Sequence, residues 1–176
     1  MTETEIKLRV AGPEAARQAL ARIGAALQSV RHLEDNAVFD DEVASLAGTG
    51  TLLRLRRTPH ENVLTFKGRV TMEEGLRSRP ELELMVSDAG TLRSILEALG
   101  FGVRFRYQKY REAYAWKDLE IVVDETPFGT FYELEGDPGS IHEAAAALGY
   151  DRDDYITDSY AALFFAAGGV GDMVFR

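Results

Sequence analysis

The chain contains no cysteine, three histidines and one tryptophan in 176 residues. Without cysteine there is no disulfide, no thiolate nucleophile and no zinc site with sulfur ligands, and three scattered histidines make no histidine-rich metal centre. Any metal bound here has to be held by oxygen. Also missing is an apolar run approaching the ~18 residues of a membrane-crossing helix, and the first residues are charged rather than a basic stretch followed by an apolar one. A cytoplasmic protein without a signal peptide is therefore expected. Positive charge is scarce as well: 20 Lys and Arg against 29 Asp and Glu leave a net charge of −9. That balance argues against broad binding to nucleic acid or anionic membrane unless bases are concentrated locally. Where the bases stand matters more than how many there are.

What is present is ordinary for a globular protein. With 45% hydrophobic and 28% charged residues the chain can build one substantial core and is short for two, so one domain over residues 1–176 is expected. The opening TETEIKLRV alternates: Ile6, Leu8 and Val10 lie on one face of a strand, Glu3, Glu5, Lys7 and Arg9 on the other. Gly12-Pro13 puts proline at a helix start, and Ala16, Leu20 and Ile23 recur at helical spacing towards Gly24. A strand is predicted from Leu27 to Phe39, then a loop over DDEVASLAGTG. TLLRLRRT and ENVLTFKG read as two strands joined by a turn through Thr58-Pro59-His60-Glu61. RVTMEEGLRS reads as a polar connection and RPELELMV as a further alternating strand. Asp88 is the predicted cap of the helix AGTLRSILEAL, which Gly100 stops. VRFRYQKYREAYAW and DLEIVVDE form a predicted antiparallel pair, with TFYELEG following a turn at Pro127 and Gly129. Ser140 and Glu143 have capping-box spacing before HEAAAALG, and Asp158 or Thr157 is placed to cap a last short helix in DSYAALFFAAGG. The order β α βββ β α βββ α α is that of an antiparallel α+β sheet or barrel with helices inserted.

Strand after strand carries a charged row at alternate positions: Glu3, Glu5, Lys7; Arg54, Arg56; Lys67; Arg79, Glu81, Glu83; Lys109, Arg111; Asp124; Glu133, Glu135. One such row is most simply the wet face of a sheet whose other face is buried. Repetition weakens that explanation, because nearly every strand offers paired acids or paired bases two residues apart. Carboxylates so spaced can converge on Mg²⁺ or Mn²⁺, hard cations that take oxygen ligands, while Arg and Lys on neighbouring strands hold phosphate oxygens. A polyphosphate–metal complex needs both. If helices cover the apolar faces, the charged faces must line the inside of a barrel, a water-filled tunnel where side chains do not fill it. Setting the seven acids and seven bases aside leaves 13 bases against 22 acids, so the lumen is balanced and the exterior carries the whole −9.

These residues resemble the CYTH superfamily, the triphosphate tunnel metalloenzymes. The match begins with the ExExK pattern at Glu3, Glu5 and Lys7. It continues in order through LRLR at 53–56, TFKG at 65–68, RPELE at 79–83, KYR at 109–111, VDETPFGTFYELEG at 123–136 and SY at 159–160. The resemblance implies an eight-stranded antiparallel β-barrel with helices packed outside, whose lumen binds a triphosphate with divalent cations, Mg²⁺ or Mn²⁺. Carried over position by position, Lys7, Arg54, Arg56, Lys67, Arg79, Lys109 and Arg111 are the bases that grip the triphosphate. Glu3, Glu5, Glu81, Glu83, Asp124, Glu133 and Glu135 are the acids that serve the metals, and Lys67 is the candidate catalytic residue assisting the leaving phosphate.

Two chemistries share such a site. A triphosphatase directs water at the terminal phosphorus of tripolyphosphate or an organic triphosphate such as thiamine triphosphate or a nucleotide. A class IV adenylyl cyclase directs the 3′-hydroxyl of ATP at the α-phosphorus, giving cyclic AMP and pyrophosphate. Hydrolysis needs only the grip and the metals, whereas no motif announces a base pocket, so triphosphatase is the expectation and cyclase the alternative. A non-catalytic polyphosphate- or nucleotide-binding module would gain nothing from seven acids. His32 and His142 read as surface or packing residues, and Trp116 as a core or barrel-wall aromatic. Tyr107 shares the parity of Lys109 and Arg111, and Tyr160 either closes a tunnel mouth or anchors the core. The expected partners are a triphosphate-containing small molecule and a second copy of the chain, with no nucleic acid and no membrane.

Overall fold

The computed structural model describes residues 2–176, with Glu73 described by its backbone. The elements in chain order are β1 (Thr2–Val10), α1 (Pro13–Arg22), β2 (Ala26–Asp40), α2 (Ser45–Gly48), β3 (Leu52–Arg57), β4 (Asn62–Lys67) and β5 (Thr71–Glu73). They continue with β6 (Leu76–Met85), α3 (Ala89–Ala98), β7 (Gly102–Trp116), β8 (Leu119–Thr126), β9 (Gly129–Glu135), α4 (Pro138–Ala147) and α5 (Tyr160–Ala166). The sheet runs β1-β9-β8-β7-β2-β3-β4-β6, and β6 pairs back onto β1, so eight antiparallel strands close a ring, with β5 attached to β6 as a ninth. The fold is α+β, as the charged and apolar alternation requires.

Helices cover the apolar outer faces. Ala16 and Leu20 of α1 and Ile141, Ala144 and Ala145 of α4 pack on Ile6 and Leu8 of β1, Ile121 and Val123 of β8, and Tyr132 and Leu134 of β9. Each Ile or Leu fully buried there contributes roughly 1.5–3 kcal/mol. Leu96 of α3 packs on Phe39 of β2 and Leu55 of β3 in a second outer cluster. A third cluster sits at one mouth of the ring, where Tyr160 of α5 meets Phe131 and Met173, with Phe105, Phe128 and Phe164 around them. The chain end then runs alongside β7: Met173 N–H donates to the Arg106 carbonyl at 3.0 Å, and Gln108 N–H donates to the Met173 carbonyl at 2.8 Å. The pairing of β7 with β8 begins only at Tyr110, so this tail covers a stretch of strand edge that would otherwise be bare.

Three local expectations are corrected. The segment read as a polar connection is a hairpin, β5–β6, turning at Glu74 and Gly75, whose φ values of 52° and 80° give the paired left-handed turn that suits a two-residue hairpin loop. Helix α4 is capped by Asp137, which accepts from the Gly139 and Ser140 amides; Ser140 lies inside the helix and donates its hydroxyl to Asp118. Helix α5 is capped by Ser159, not by Asp158 or Thr157, through a 3.2 Å bond from the Ala162 amide.

Candidate active site

Strand alternation turns the charged rows inward, and closure of the ring brings them together. Thirteen of the fourteen charged residues singled out from sequence line one cavity of about 810 Å³: all seven bases, and Glu3, Glu5, Glu81, Glu83, Glu133 and Glu135. Cross-strand register sets their neighbours. Lys7 faces Glu133 and Glu5 faces Glu135 between β1 and β9, Glu3 faces Arg79 between β1 and β6, and Lys67 faces Glu81 between β4 and β6. Glu83 stands towards the rim, its side chain 48% exposed, accepting from the Thr65 hydroxyl at 2.9 Å.

Asp124 is the exception. It is wholly buried behind the bases and accepts from Lys109 Nζ at 2.9 Å, from Arg111 Nε at 2.8 Å and Nη2 at 2.6 Å, and from the Tyr160 hydroxyl at 2.8 Å. Its oxygens are fully engaged in orienting two cations and a phenol. The ammonium groups of Lys7 and Lys109 stand 5.2 and 5.3 Å from the centre of the Tyr160 ring, so this residue both closes a mouth and borders the bases.

The bases are only partly satisfied by protein acids. Lys7 Nζ lies 2.9 Å from Glu133 and 3.2 Å from Glu5; despite burial, these carboxylates raise its affinity for the proton. Arg54 donates to the Tyr107 hydroxyl at 3.3 Å and to Thr65 at 3.2 Å. Yet, among the described residues, Nε of Arg54, Arg56, Arg77 and Arg79, and Nη2 of Arg79, are buried without a hydrogen-bond acceptor. A buried N–H left unmatched costs about 1–3 kcal/mol, more when charged. Five such donors stand on residues of one lumen among those described.

The acids form the complementary pattern. Burial pushes the Glu135 carboxyl up to about 8, helped by the charges of Glu3 and Glu133. Burial and a hydrogen bond with Glu3 push Glu81 up to about 7, while the same bond and Lys67 outweigh burial at Glu3 and bring it down to about 2. Burial and the Glu133 charge raise Glu5, which hydrogen-bonds Glu133. Two carboxyls can hydrogen-bond only with a proton between them, and a divalent cation can take that proton's place. Among the described residues no three acids or imidazoles already stand as a preformed metal cluster. The fit to a cation is one of donor chemistry, and these side chains must shed protons and turn to ligate it. Lys67 bonds Glu3 at 2.9 Å and also Glu81, so it stands beside the acids rather than apart from them.

Several lumen residues escaped the sequence reading. Arg77 lines the cavity beside Arg79, but its row was hidden because β6 begins at Leu76, inside the stretch read as a connection. Glu34 and Asn36, 2% and 0% exposed, lie on the inward face of β2 opposite Lys109 and Tyr107. The alternation His32, Glu34, Asn36, Val38 was the available signal. Arg9 sits at the rim, over the Phe131 ring at 4.7 Å, and His142 stacks on Tyr155 away from the lumen. Trp116 donates to the Ile23 carbonyl at 2.9 Å, in keeping with packing against the core.

The class that the fold and site define is a closed antiparallel ring with acids and bases facing one another across its lumen. Within it, the chain belongs to the CYTH family: the CYTH domain matches residues 1–160. A protein of Methanocaldococcus jannaschii named "Putative adenylate cyclase" is 27% identical over 174 residues, covering 93% of this chain and 98% of its own. Among solved structures, a "putative adenylate cyclase" of Vibrio parahaemolyticus has a TM-score of 0.81 at 20% identity, covering 94% of this chain and 98% of that one. A Hippeastrum protein described as a "putative adenylyl cyclase" with dominant triphosphatase activity has a TM-score of 0.66 at 22% identity, covering 96% and 97%. The family is one of enzymes that are adenylyl cyclase-like or triphosphatases. No helix among the described residues is long and apolar enough to cross a membrane.

Proposed function

We propose that the chain is a Mg²⁺- or Mn²⁺-dependent hydrolase of triphosphates. The observation that carries this reading is the set of buried guanidinium N–H groups without acceptors among the described residues on Arg54, Arg56, Arg77 and Arg79, four residues that line one cavity of about 810 Å³. Phosphate oxygens would satisfy them by charge-assisted bonds. Lys7, Lys67, Lys109 and Arg111 extend the grip, and Asp124 and Tyr160 hold Lys109 and Arg111 in place. Glu3, Glu81 and Glu135 are the first choice for holding a cation, with Glu5 and Glu133 as the second group and Glu83 at the rim. When bound, the cation would supply positive charge at the phosphate oxygens and make water a better nucleophile. The chain's own contribution is then positional: bases fix the phosphates, acids orient water for in-line attack, and Lys67 neutralises charge on the leaving phosphate. The dominant triphosphatase activity ascribed to the Hippeastrum protein agrees with this chemistry on this fold.

A second reading, cyclisation of ATP, has one structural feature in its favour. One side of the cavity is apolar, with Val38, Leu52, Phe105 and Phe165 beside Tyr107, and would receive an organic group. Incubating the purified protein with Mg²⁺ or Mn²⁺ and either tripolyphosphate or ATP, and resolving the products, tests the proposal. Orthophosphate from tripolyphosphate is expected; cyclic AMP with pyrophosphate from ATP would replace hydrolysis by cyclisation. In a Glu133→Gln, Glu135→Gln variant turnover is expected to vanish, and undiminished activity would remove these acids from the reaction.

A further inference from the structure

The lumen does not end at the bases. Along β7, Phe105 and Tyr107 lie beside α5, Lys109 and Arg111 follow, and Ala113 lies beyond them, lining a second chamber of about 280 Å³ at the end remote from α5. The two chambers share Arg56, Arg111 and Glu120, whereas Glu34, Glu61, His32 and His60 line only the rear one, so two bases there stand among three carboxylates. Two of the chain's three histidines thus meet at this mouth.

The rear wall holds an unmatched acceptor beside an unmatched donor. Glu34 is 2% exposed, and its Oε2 is enclosed without a hydrogen-bond donor among the described residues; Lys109 Nζ is 3.6 Å away, outside ordinary hydrogen-bond range. The charges of Lys109, Arg111 and Arg56 outweigh burial and hold this carboxyl at about 2, so it is an ionised acceptor. Nε of Arg56, whose Nη1 is 3.8 Å from Glu34 Oε1, is a buried donor without an acceptor among the described residues. The His32 Nδ1 lies 2.9 Å from the Val30 carbonyl, which can only accept, so Nδ1 donates and Nε2 is left as an acceptor, able to receive a P–OH but not to donate to a phosphate oxygen. A fully ionised polyphosphate segment offers only acceptors and would leave Glu34 unmatched. Orthophosphate near neutral pH keeps at least one P–OH and offers both.

We propose that the rear chamber is an orthophosphate site, with the P–OH donating to Glu34 Oε2 and the other oxygens accepting from Arg56 and Arg111, His32 and His60 forming its outer rim. Its role rests on the triphosphatase reading, since hydrolysis supplies the phosphate beside it, and the site then offers the product a way out that does not require the larger product to leave first. Its chemistry does not rest on that reading.

The test is calorimetric titration of inorganic phosphate into metal-free protein, alone and saturated with tripolyphosphate, with sulfate as the proton-free isostere. Phosphate is expected to bind both forms, more weakly beside bound tripolyphosphate because Arg56 and Arg111 are shared, and sulfate to bind about tenfold or more weakly for want of a hydrogen-bond donor. His32→Ala and His60→Ala, at the mouth of the chamber, are expected to weaken phosphate binding several-fold, within the ~0.5–1.5 kcal/mol of one net hydrogen bond, and to leave tripolyphosphate affinity unchanged. Absence of phosphate binding, equal binding of sulfate, displacement of phosphate by tripolyphosphate, or indifference to both histidine variants would each overturn the proposal. If tripolyphosphate fails to bind, the triphosphatase reading falls. The phosphate–sulfate comparison and the histidine variants still judge the rear chamber.

Discussion

Asp124 shows how a single carboxylate organises the lumen without facing it. It receives Lys109, both nitrogens of the Arg111 fork and the Tyr160 hydroxyl, and none of its surface is exposed. Removing one partner of a buried charge network strands the others, at about 3–5 kcal/mol. Asp124→Asn is therefore expected to lower the melting temperature markedly and to weaken tripolyphosphate binding, both readable by thermal unfolding with and without tripolyphosphate. Tyr160→Phe keeps the ring near Lys7 and Lys109 but deletes the bond to Asp124; a loss of about 1 kcal/mol, again by melting, is the expected size for one net hydrogen bond. Glu135 gives a pH test with a definite sign. Its carboxyl, ordinarily near 4.5, is pushed to about 8, so the metal-free folded protein keeps a proton that the unfolded chain releases. That contribution to stability is full below about 4.5 and is lost as pH rises to about 8. Glu135→Gln removes the dependence, so metal-free variant and parent should diverge in melting temperature between pH 5 and 8, the variant gaining; parallel curves would contradict the assignment.

At the scale of elements, the amphipathic strands and helices were readable because apolar residues recur at fixed periods. Ile6, Leu8 and Val10 predicted the buried face of β1, and Ala16 and Leu20 the face of α1 that covers it. Leu20→Ala is expected to cost about 2–5 kcal/mol by denaturant unfolding, as for other filled core sites, while triphosphate affinity per folded molecule stays unchanged. Legibility stopped where local pattern gave no period. β5 spans only Thr71–Glu73, too short to show alternation, and its hairpin depends on left-handed backbone at Glu74 and Gly75. The cap of α4 was misplaced because Ser140 and Glu143 mimic a capping box three residues downstream of Asp137, the residue whose carboxylate accepts from the first-turn amides. The place of α5 was open as well. Its apolar residues fit a core or a mouth equally, and only contacts of Tyr160 with Phe131 and Asp124 put it at the mouth.

Over the whole molecule, ring closure converts scattered charges into one site. Ligand and cation should therefore stabilise the fold as they neutralise its lumen: tripolyphosphate at 100 times its dissociation constant should add about 2.7 kcal/mol, measured as a shift in unfolding midpoint. Removing divalent cations with a chelator should abolish product formation while leaving secondary structure by circular dichroism intact, since hydrophobic clusters on the outer faces hold the helices. By itself the sequence determined the strands other than β5 and the start of β6, the sorting of charge to one face of each, and fourteen ionisable residues of which thirteen meet in one cavity, because a period of two is written in consecutive residues. Only the tertiary structure decided which acid meets which base. It separated Asp124, held by four donor contacts, from Glu3, Glu81 and Glu135, which interact with one another, Glu3 and Glu81 also with Lys67. It also brought Arg77, Glu34 and Asn36 inward and opened a second chamber behind Arg56 and Arg111. Those outcomes depend on cross-strand register and on closure between β1 and β6, pairings between residues more than seventy positions apart that no local pattern encodes.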